Sequence, residues 1–281
     1  MTERKFIPGN EWLYLKIYTG IKTSDIILEE AIQPLTDYFM ENNYIMKWFF
    51  IRYNDPKPHL RLRLKLNTTE NYNKALEKID YSFQPYVDSG EVSSVAIETY
   101  IREIERYGQN TIEDAETFFH RNSEFILQCL HYDDEEKIIV SFFYIDQLLN
   151  KLNLSFQEKL DWIRDSNDAF KKEFSADKKL NSQLDKKYRG FKPKFLDFLN
   201  SEDFLEERNA IVFNIEKCNS ILKNILNHNE DQTLEMPLRI FFQSIFHMNI
   251  NRMFVSNQRL FEMIIYDYLL RYYKMETFKN L

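Results

Sequence analysis

The residues best suited to chemistry begin in one stretch, Met46 to Leu66, which reads MKWFFIRYNDPKPHLRLRLKL. His59, Arg61, Arg63 and Lys65 occupy every second position, and Leu60, Leu62, Leu64 and Leu66 fill the alternate ones. Side chains alternate between the two faces of a strand, so one face is a leucine layer and the other a row of cations with an imidazole. Guanidinium groups grip carboxylates through paired hydrogen bonds, and an imidazole exchanges protons near neutrality. The chemistry that such a row offers is binding and stabilising anions. A solvated basic face on an edge strand is the plainer alternative.

A second cluster lies in Tyr100-Ile-Arg-Glu-Ile-Glu-Arg-Tyr-Gly108, with Arg102, Glu103, Glu105 and Arg106 close together. It is either a solvated ladder of self-neutralising pairs or a device in which a glutamate holds one arginine toward the first row. A third candidate, His247, sits in the apolar run from Phe241 to Arg252. Buried histidines on such helices usually have a packing role, but one facing the sheet would be a general acid or base. His120, His131 and His228 have no partner motif. There is no HExxH, no GxSxG and no glycine-rich phosphate loop, and Cys129 and Cys218 are not in a CxxC. Metal, covalent-nucleophile and nucleotide chemistries are therefore not indicated, and no cofactor is expected.

The elements that must position these residues follow from patterning. Trp12–Tyr18, the pair within 46–66, and Val92–Tyr100 predict four strands. Ile26–Glu41, kinked at Pro34, and Thr69–Tyr86 predict helices. The order β-α-β-β-α-β predicts an α+β, ferredoxin-like layer, with the first and third strands central and the fourth beside the first. Beyond Gly108 the texture is helical: 112–130, 135–152, 155–174, 178–198, 201–226, 234–248 and 257–273 give five to seven helices. The stretch Lys171–Lys194 is the most polar and is expected to be exposed or mobile. Two subdomains are expected, 1–108 and 109–281, with the second packing on the sheet.

Composition narrows the setting. The chain has 281 residues, is 44% hydrophobic with 24 Phe and 17 Tyr, and carries a formal charge of -7 with a pI near 5.4. That balance disfavours a nucleic-acid-binding surface while leaving room for a local basic pocket. No signal-like or membrane-spanning run is present, so a soluble cytoplasmic protein with no membrane span is expected.

Three blocks carry a resemblance: FFIRYNDPKPHLRLRL at 49–64, TYIREIERYG at 99–108 with DAETFF at 114–119, and FHMNINRM at 246–253. Together and in this order they resemble the elimination domain of class I lanthipeptide dehydratases, a family with free-standing members in thiopeptide-type bacteriocin biosynthesis. The resemblance covers nearly the whole chain. It implies a lyase that removes glutamate from glutamylated Ser or Thr of a ribosomally made precursor peptide, leaving dehydroalanine or dehydrobutyrine.

On that resemblance Arg61, Arg63, Arg106, Glu103 and His247 are the catalytic set, and Arg52, His59, Arg102 and Arg252 are substrate-binding. The implied partners are the glutamylated peptide, a separate glutamyl-tRNA-dependent glutamylating protein, a cyclase and a second copy of the chain as a homodimer. A pyridine synthase-like cycloaddition enzyme and a non-catalytic scaffold are the alternatives. The chain departs from the family pattern at Gln109, where a second glycine is common, at Asn122, where Asp is common, and at Asn249, where His is common.

Overall fold

Strand-forming segments and the helices between them give the order expected for the first hundred residues. The computed structural model describes residues 2–279. A short strand β1 (Lys5–Phe6) precedes β2 (Trp12–Thr19), and β3 (Ile45–Tyr53) and β4 (His59–Leu66) form a hairpin. Helix α2 (Tyr72–Asp88) leads to β5 (Val92–Glu98) and β6 (Tyr100–Ile101). The helix before β3 spans residues 24–41, numbered α1, and is α-helical at Ser24–Ile26, π-helical at Ile27–Ile32 and α-helical again at Gln33–Glu41. Pro34 has no N–H to give to the preceding turn, and the wider π turn lets the helix run on past it.

The main sheet is antiparallel with strand order β3-β4-β2-β5. This is the ferredoxin-like arrangement read from sequence, with the fourth long strand beside the first. The expected strand Val92–Tyr100 is broken at Thr99. Its tail becomes β6, which leaves β2 and pairs with β1, placing Tyr100 opposite Phe6.

Register shows what each face holds. Leu60, Leu62 and Leu64 lie across from Ile17, Leu15 and Leu13 on β2, and across from Arg52, Phe50 and Trp48 on β3. These apolar residues are buried, as are Ile27, Leu35 and Phe39 of α1 and Ala75, Ile79 and Phe83 of α2. Full burial of each large side chain contributes about 1.5–3 kcal/mol. A slip of one residue would turn the whole leucine set to the wrong face, so the alternation locks the register.

The outer edge of β3 is closed by side chains of two helices, α4 (Ile112–Leu127) and α10 (Leu238–Met253). The N–H of Phe50 donates to Ser123 Oγ at 3.3 Å, and the N–H of Arg52 donates to Asn251 Oδ1 at 3.0 Å. In return, Asn251 Nδ2 donates to the Arg52 carbonyl at 3.0 Å and Arg252 Nε to the Phe50 carbonyl at 2.8 Å. His120 Nδ1 lies 3.0 Å from the Trp48 carbonyl and 3.4 Å from its nitrogen. The shorter contact fits a protonated Nδ1 donating to the carbonyl. The edge's backbone groups thus find partners without another strand.

Two compact units emerge, and their boundary differs from the expected division at residue 108. One comprises Met1–His131 and Lys223–Ser256, the other Tyr132–Leu222 and Asn257–Leu281. The difference has a physical cause: α4 and α10 are bound to the sheet by the edge hydrogen bonds above. A short helix α3 (Ile104–Tyr107) and helix α9 (Asn219–Glu230) complete the helices that reach into the first unit.

The second unit holds α5 (Asp134–Asn150), α6 (Phe156–Glu173), α7 (Lys178–Asn200), α8 (Leu205–Glu216) and α11 (Gln258–Lys279). Capping boxes, Asp133 with Glu136 and Ser155 with Glu158, start its first two helices. The run expected as one helix over 201–226 is two, α8 and α9. The polar stretch 171–194 is largely helical and mostly exposed. Both cysteines are buried and free.

Candidate active site

The cationic row falls on the sheet face opposite the leucines, and it is not a solvated stripe. Arg63 lies across from Tyr14 on β2 and Phe49 on β3. Its guanidinium carbon is 4.6 Å from the Tyr14 ring centre, 5.3 Å from Phe49 and 5.0 Å from Tyr100. Only 8% of the residue is exposed, and Nε and Nη1 are buried with no hydrogen-bond partner among the described residues. Burying a cation without an anion costs several kcal/mol. Three aromatic faces offset part of that, at about 0.5–2 kcal/mol each. Arg63 thus keeps donor capacity that no described residue uses.

Arg61 is half-buried and lies over Tyr53, its guanidinium carbon 3.4 Å from the ring centre. Its Nε donates to His59 Nε2 at 3.1 Å, while His59 Nδ1 sits 2.8 Å from the Lys57 carbonyl. Both contacts are satisfied at once by the neutral tautomer protonated on Nδ1. Burial pushes the His59 pKa down; the hydrogen bond to the Lys57 carbonyl opposes it, the nearby Arg61 and Lys16 cations add to it, and the net downward shift favours that neutral form. The imidazole lies between Tyr18 and Tyr53, with ring centres 4.8 and 5.4 Å away. At the far end of the row, Lys65 pairs with Glu11 at 3.6 Å.

The 99–108 block meets this face through Tyr100. Departure of β6 from the sheet turns the Tyr100 ring onto Arg63, while its hydroxyl donates to Glu116 Oε1 at 2.9 Å. Arg106 pairs with Glu103 at 3.4 Å, and their side chains are 48% and 60% exposed. The expected glutamate-held arginine therefore exists, but as an exposed pair. Gly108 ends α3 with a φ of +74°, and a Cβ there would lie 3.1 Å from Thr111 Oγ1 and 3.3 Å from Met236 Cε. Backbone conformation and close packing both call for glycine at this point.

Three arginines expected to bind substrate are instead engaged by the protein. Arg52 is opposite Leu60 in register and so lies on the leucine face, away from Arg61 and Arg63. It donates to Ser24 Oγ at 2.8 Å, Asp25 Oδ1 at 2.6 Å and the Arg252 carbonyl at 2.8 Å. Arg102 grips Glu116, itself 0% exposed, through Nε at 2.7 Å and Nη2 at 2.8 Å. Arg252 donates to the Phe50, Met248 and Asn122 oxygens and lies 4.8 Å from the Phe119 ring. In each case the guanidinium spends donors on backbone, hydroxyl, amide or acid oxygens of the protein itself.

His247 is half-buried on α10, one helical turn before Asn251, whose amide clasps the Arg52 backbone. Residues four apart share a helix face, so His247 and Asn251 lie on the same side of α10. Two departures from the family pattern prove to be neighbours: Asn122 Nδ2 donates to Asn249 Oδ1 at 2.7 Å. Where the pattern commonly has Asp and His, this chain has a neutral amide pair.

Sequence reasoning missed the aromatic setting, Tyr14, Phe49, Tyr53 and Tyr100. The only available signal was their parity, since strand residues facing the cationic row recur at every second position. Among the described residues no group of three or more His, Cys, Asp or Glu could hold a metal ion, and no helix is long and apolar enough to cross a membrane.

Comparison with known proteins places this geometry in a family context. Residues 12–273 match the family model described as lantibiotic biosynthesis dehydratase C-term. The nisin biosynthesis protein NisB of Lactococcus lactis subsp. lactis is 32% identical over 176 residues, covering 56% of this chain and 17% of that protein. The crystal structure of the tRNA-dependent lantibiotic dehydratase MibB from Microbispora sp. 107891 superposes with a TM-score of 0.70 at 17% identity, covering 97% of this chain and 28% of that one. The pyridine synthase TbtD, from thiomuracin biosynthesis, superposes with a TM-score of 0.63 at 12% identity, covering 95% of this chain and 100% of that one. The chain thus spans under a fifth of the length of the curated relative NisB, and the two structural likenesses show the fold alone.

Proposed function

The chain belongs to the lantibiotic biosynthesis dehydratase C-terminal family, and on that premise we propose that it eliminates glutamate from glutamylated Ser or Thr residues of a precursor peptide. The observation that carries this reading is Arg63, a buried guanidinium without an anionic partner beside a pre-oriented Arg61. Eliminating a glutamyl ester creates negative charge in two places. A base takes the Cα proton, and charge builds on the adjacent peptide carbonyl oxygen. The electron pair then forms the Cα=Cβ bond, the Cβ–O bond breaks, and glutamate leaves as a carboxylate.

In this reading Arg63 and Arg61 hold the carboxylates and the developing charge, as donors aimed where charge forms. His247 carries the proton. The exposed Arg106, held by Glu103, meets the incoming peptide. The glutamyl ester is supplied by a separate glutamyl-tRNA-dependent protein, a cyclase consumes the dehydrated product, and the reaction takes place in the cytoplasm.

Co-expression with a glutamylating protein and its precursor peptide tests the reading by mass spectrometry. Wild type should yield dehydrated peptide, and Arg61→Ala and Arg63→Ala should accumulate glutamylated peptide. Dehydrated peptide from both variants at the wild-type level would sink the proposal. A second reading is formation of a six-membered nitrogen heterocycle by cycloaddition. It would show in the same spectra as a cyclised product. A scaffold role has no use for an unpaired buried cation, which only subtracts from stability.

A further inference from the structure

We propose that His59 is a positioning residue for Arg61, acting as a neutral imidazole that fixes the rotation of the guanidinium and leaves its Nη edge free for a carboxylate. This deepens the elimination reading and rests on it. The geometry comes from three contacts. The Lys57 carbonyl takes the Nδ1 proton of His59 at 2.8 Å, which leaves Nε2 as an acceptor. Arg61 Nε donates into that acceptor at 3.1 Å. Tyr53 fixes the plane of the guanidinium from below at 3.4 Å.

With Nε engaged, the two terminal nitrogens of Arg61 have no hydrogen-bond partner among the described residues. An arginine approached along its Nη1–Nη2 edge makes two parallel bonds to a carboxylate. A free guanidinium would sample several rotamers and would have to stop in one when substrate arrives. His59 removes that choice in advance, which is how preorganisation lowers a barrier. His59 itself is 4% exposed and cannot serve as a direct substrate ligand without displacing Arg61 or its two tyrosine neighbours.

The charges around the imidazole all bear on its state. Lys16 on β2 and Arg61 on its own strand disfavour a second proton, as does burial, and Asp55 in the turn opposes them weakly. Tyr18 and Tyr53 supply the flanking rings. Protonation of Nε2 would replace the acceptor with a donor and set two cations against each other. Acidification is therefore expected to release Arg61.

Two substitutions separate positioning from packing. His59→Phe keeps a ring between Tyr18 and Tyr53 but has no acceptor. His59→Gln loses the ring but carries an amide oxygen near the Nε2 position. With a synthetic peptide carrying a glutamyl-esterified serine, His59→Phe should lose on the order of 10²-fold in kcat/KM while its melting temperature stays close to wild type. His59→Gln should recover turnover to within a few-fold and lack the acid limb that the release of Arg61 predicts for the wild-type pH profile. If packing alone mattered, the order would be reversed, with His59→Phe active and His59→Gln impaired, and the proposal would be overturned.

A second readout does not depend on turnover. In ¹⁵N NMR of the full chain, the Arg61 Nε–H should be protected from solvent exchange in wild type and His59→Gln and unprotected in His59→Phe. Equal exchange in wild type and His59→Phe overturns the inference even if the peptide is processed. Conversely, protection in a wild-type protein that does not process the peptide leaves the tether intact and counts against the elimination reading.

Discussion

Replacing Arg63 by methionine sets function against stability in a way that a structural arginine could not. The guanidinium is 8% exposed, and two of its nitrogens are unsatisfied. Its burial costs several kcal/mol, and three ring contacts return about 0.5–2 kcal/mol each. Those terms nearly cancel, and methionine fills much of the same volume with no polar atoms. Arg63→Met should therefore unfold within about 1 kcal/mol of wild type, or above it, which for a chain of this size is a shift of about 2 °C.

Arg102→Met is the control. It strips the guanidinium from Glu116, which is 0% exposed, and leaves a buried carboxylate that costs about 3–5 kcal/mol. Activity should run the other way: Arg63→Met should lose about 10²–10³-fold in elimination, as does removal of a donor to a developing anion elsewhere. Urea titrations and turnover of the glutamylated peptide on both variants give the comparison. If Arg63→Met loses stability in step with Arg102→Met, Arg63 is a structural residue and the anion-site argument is wrong.

Three further outcomes follow from the same geometry. Asn251→Ala removes both partners of the Arg52 backbone and should destabilise by about 1–3 kcal/mol for each group left unsatisfied, read by chemical denaturation. Burial pushes the His120 pKa from 6.5 to about 4, so the folded state resists a proton that the unfolded chain accepts. Its contribution, about 3 kcal/mol, is complete above pH 6.5 and is lost as pH falls toward 4; unfolding midpoints of wild type should fall more steeply across that window than those of His120→Gln. Asn122→Asp and Asn249→His should couple when combined, by about 0.5–3 kcal/mol in a double-mutant cycle, because the two side chains touch at 2.7 Å; additive effects would show that the two departures from the family pattern are independent.

The period-two alternation of residues 59–66 was legible because a half-buried strand must sort its side chains by face, and the leucines lock that sorting. Arg52 could have been excluded by the same logic, since pairing in the hairpin puts it across from Leu60. Arg102 and Arg252 could not: their roles depend on Glu116 and on the Phe50 carbonyl, partners that sequence spacing does not reveal. The cage around Arg63 draws one ring each from β2, β3 and β6, and only the strand register and the turn of β6 away from the sheet bring them together. The division into units was hidden for a related reason, because α4 and α10 are tied to β3 by side-chain-to-backbone hydrogen bonds that leave no pattern in the chain.

The most direct test of the central claim uses purified protein and a synthetic peptide whose serine, deuterated at Cα, is esterified with glutamate. The account predicts release of glutamate and a dehydroalanine-containing peptide that has lost the deuterium, with turnover slowed by the heavier isotope and strongly reduced in Arg63→Met. Peptide recovered with serine restored and deuterium retained would mean ester hydrolysis, and it would contradict the assignment of the His59–Arg63 face to elimination.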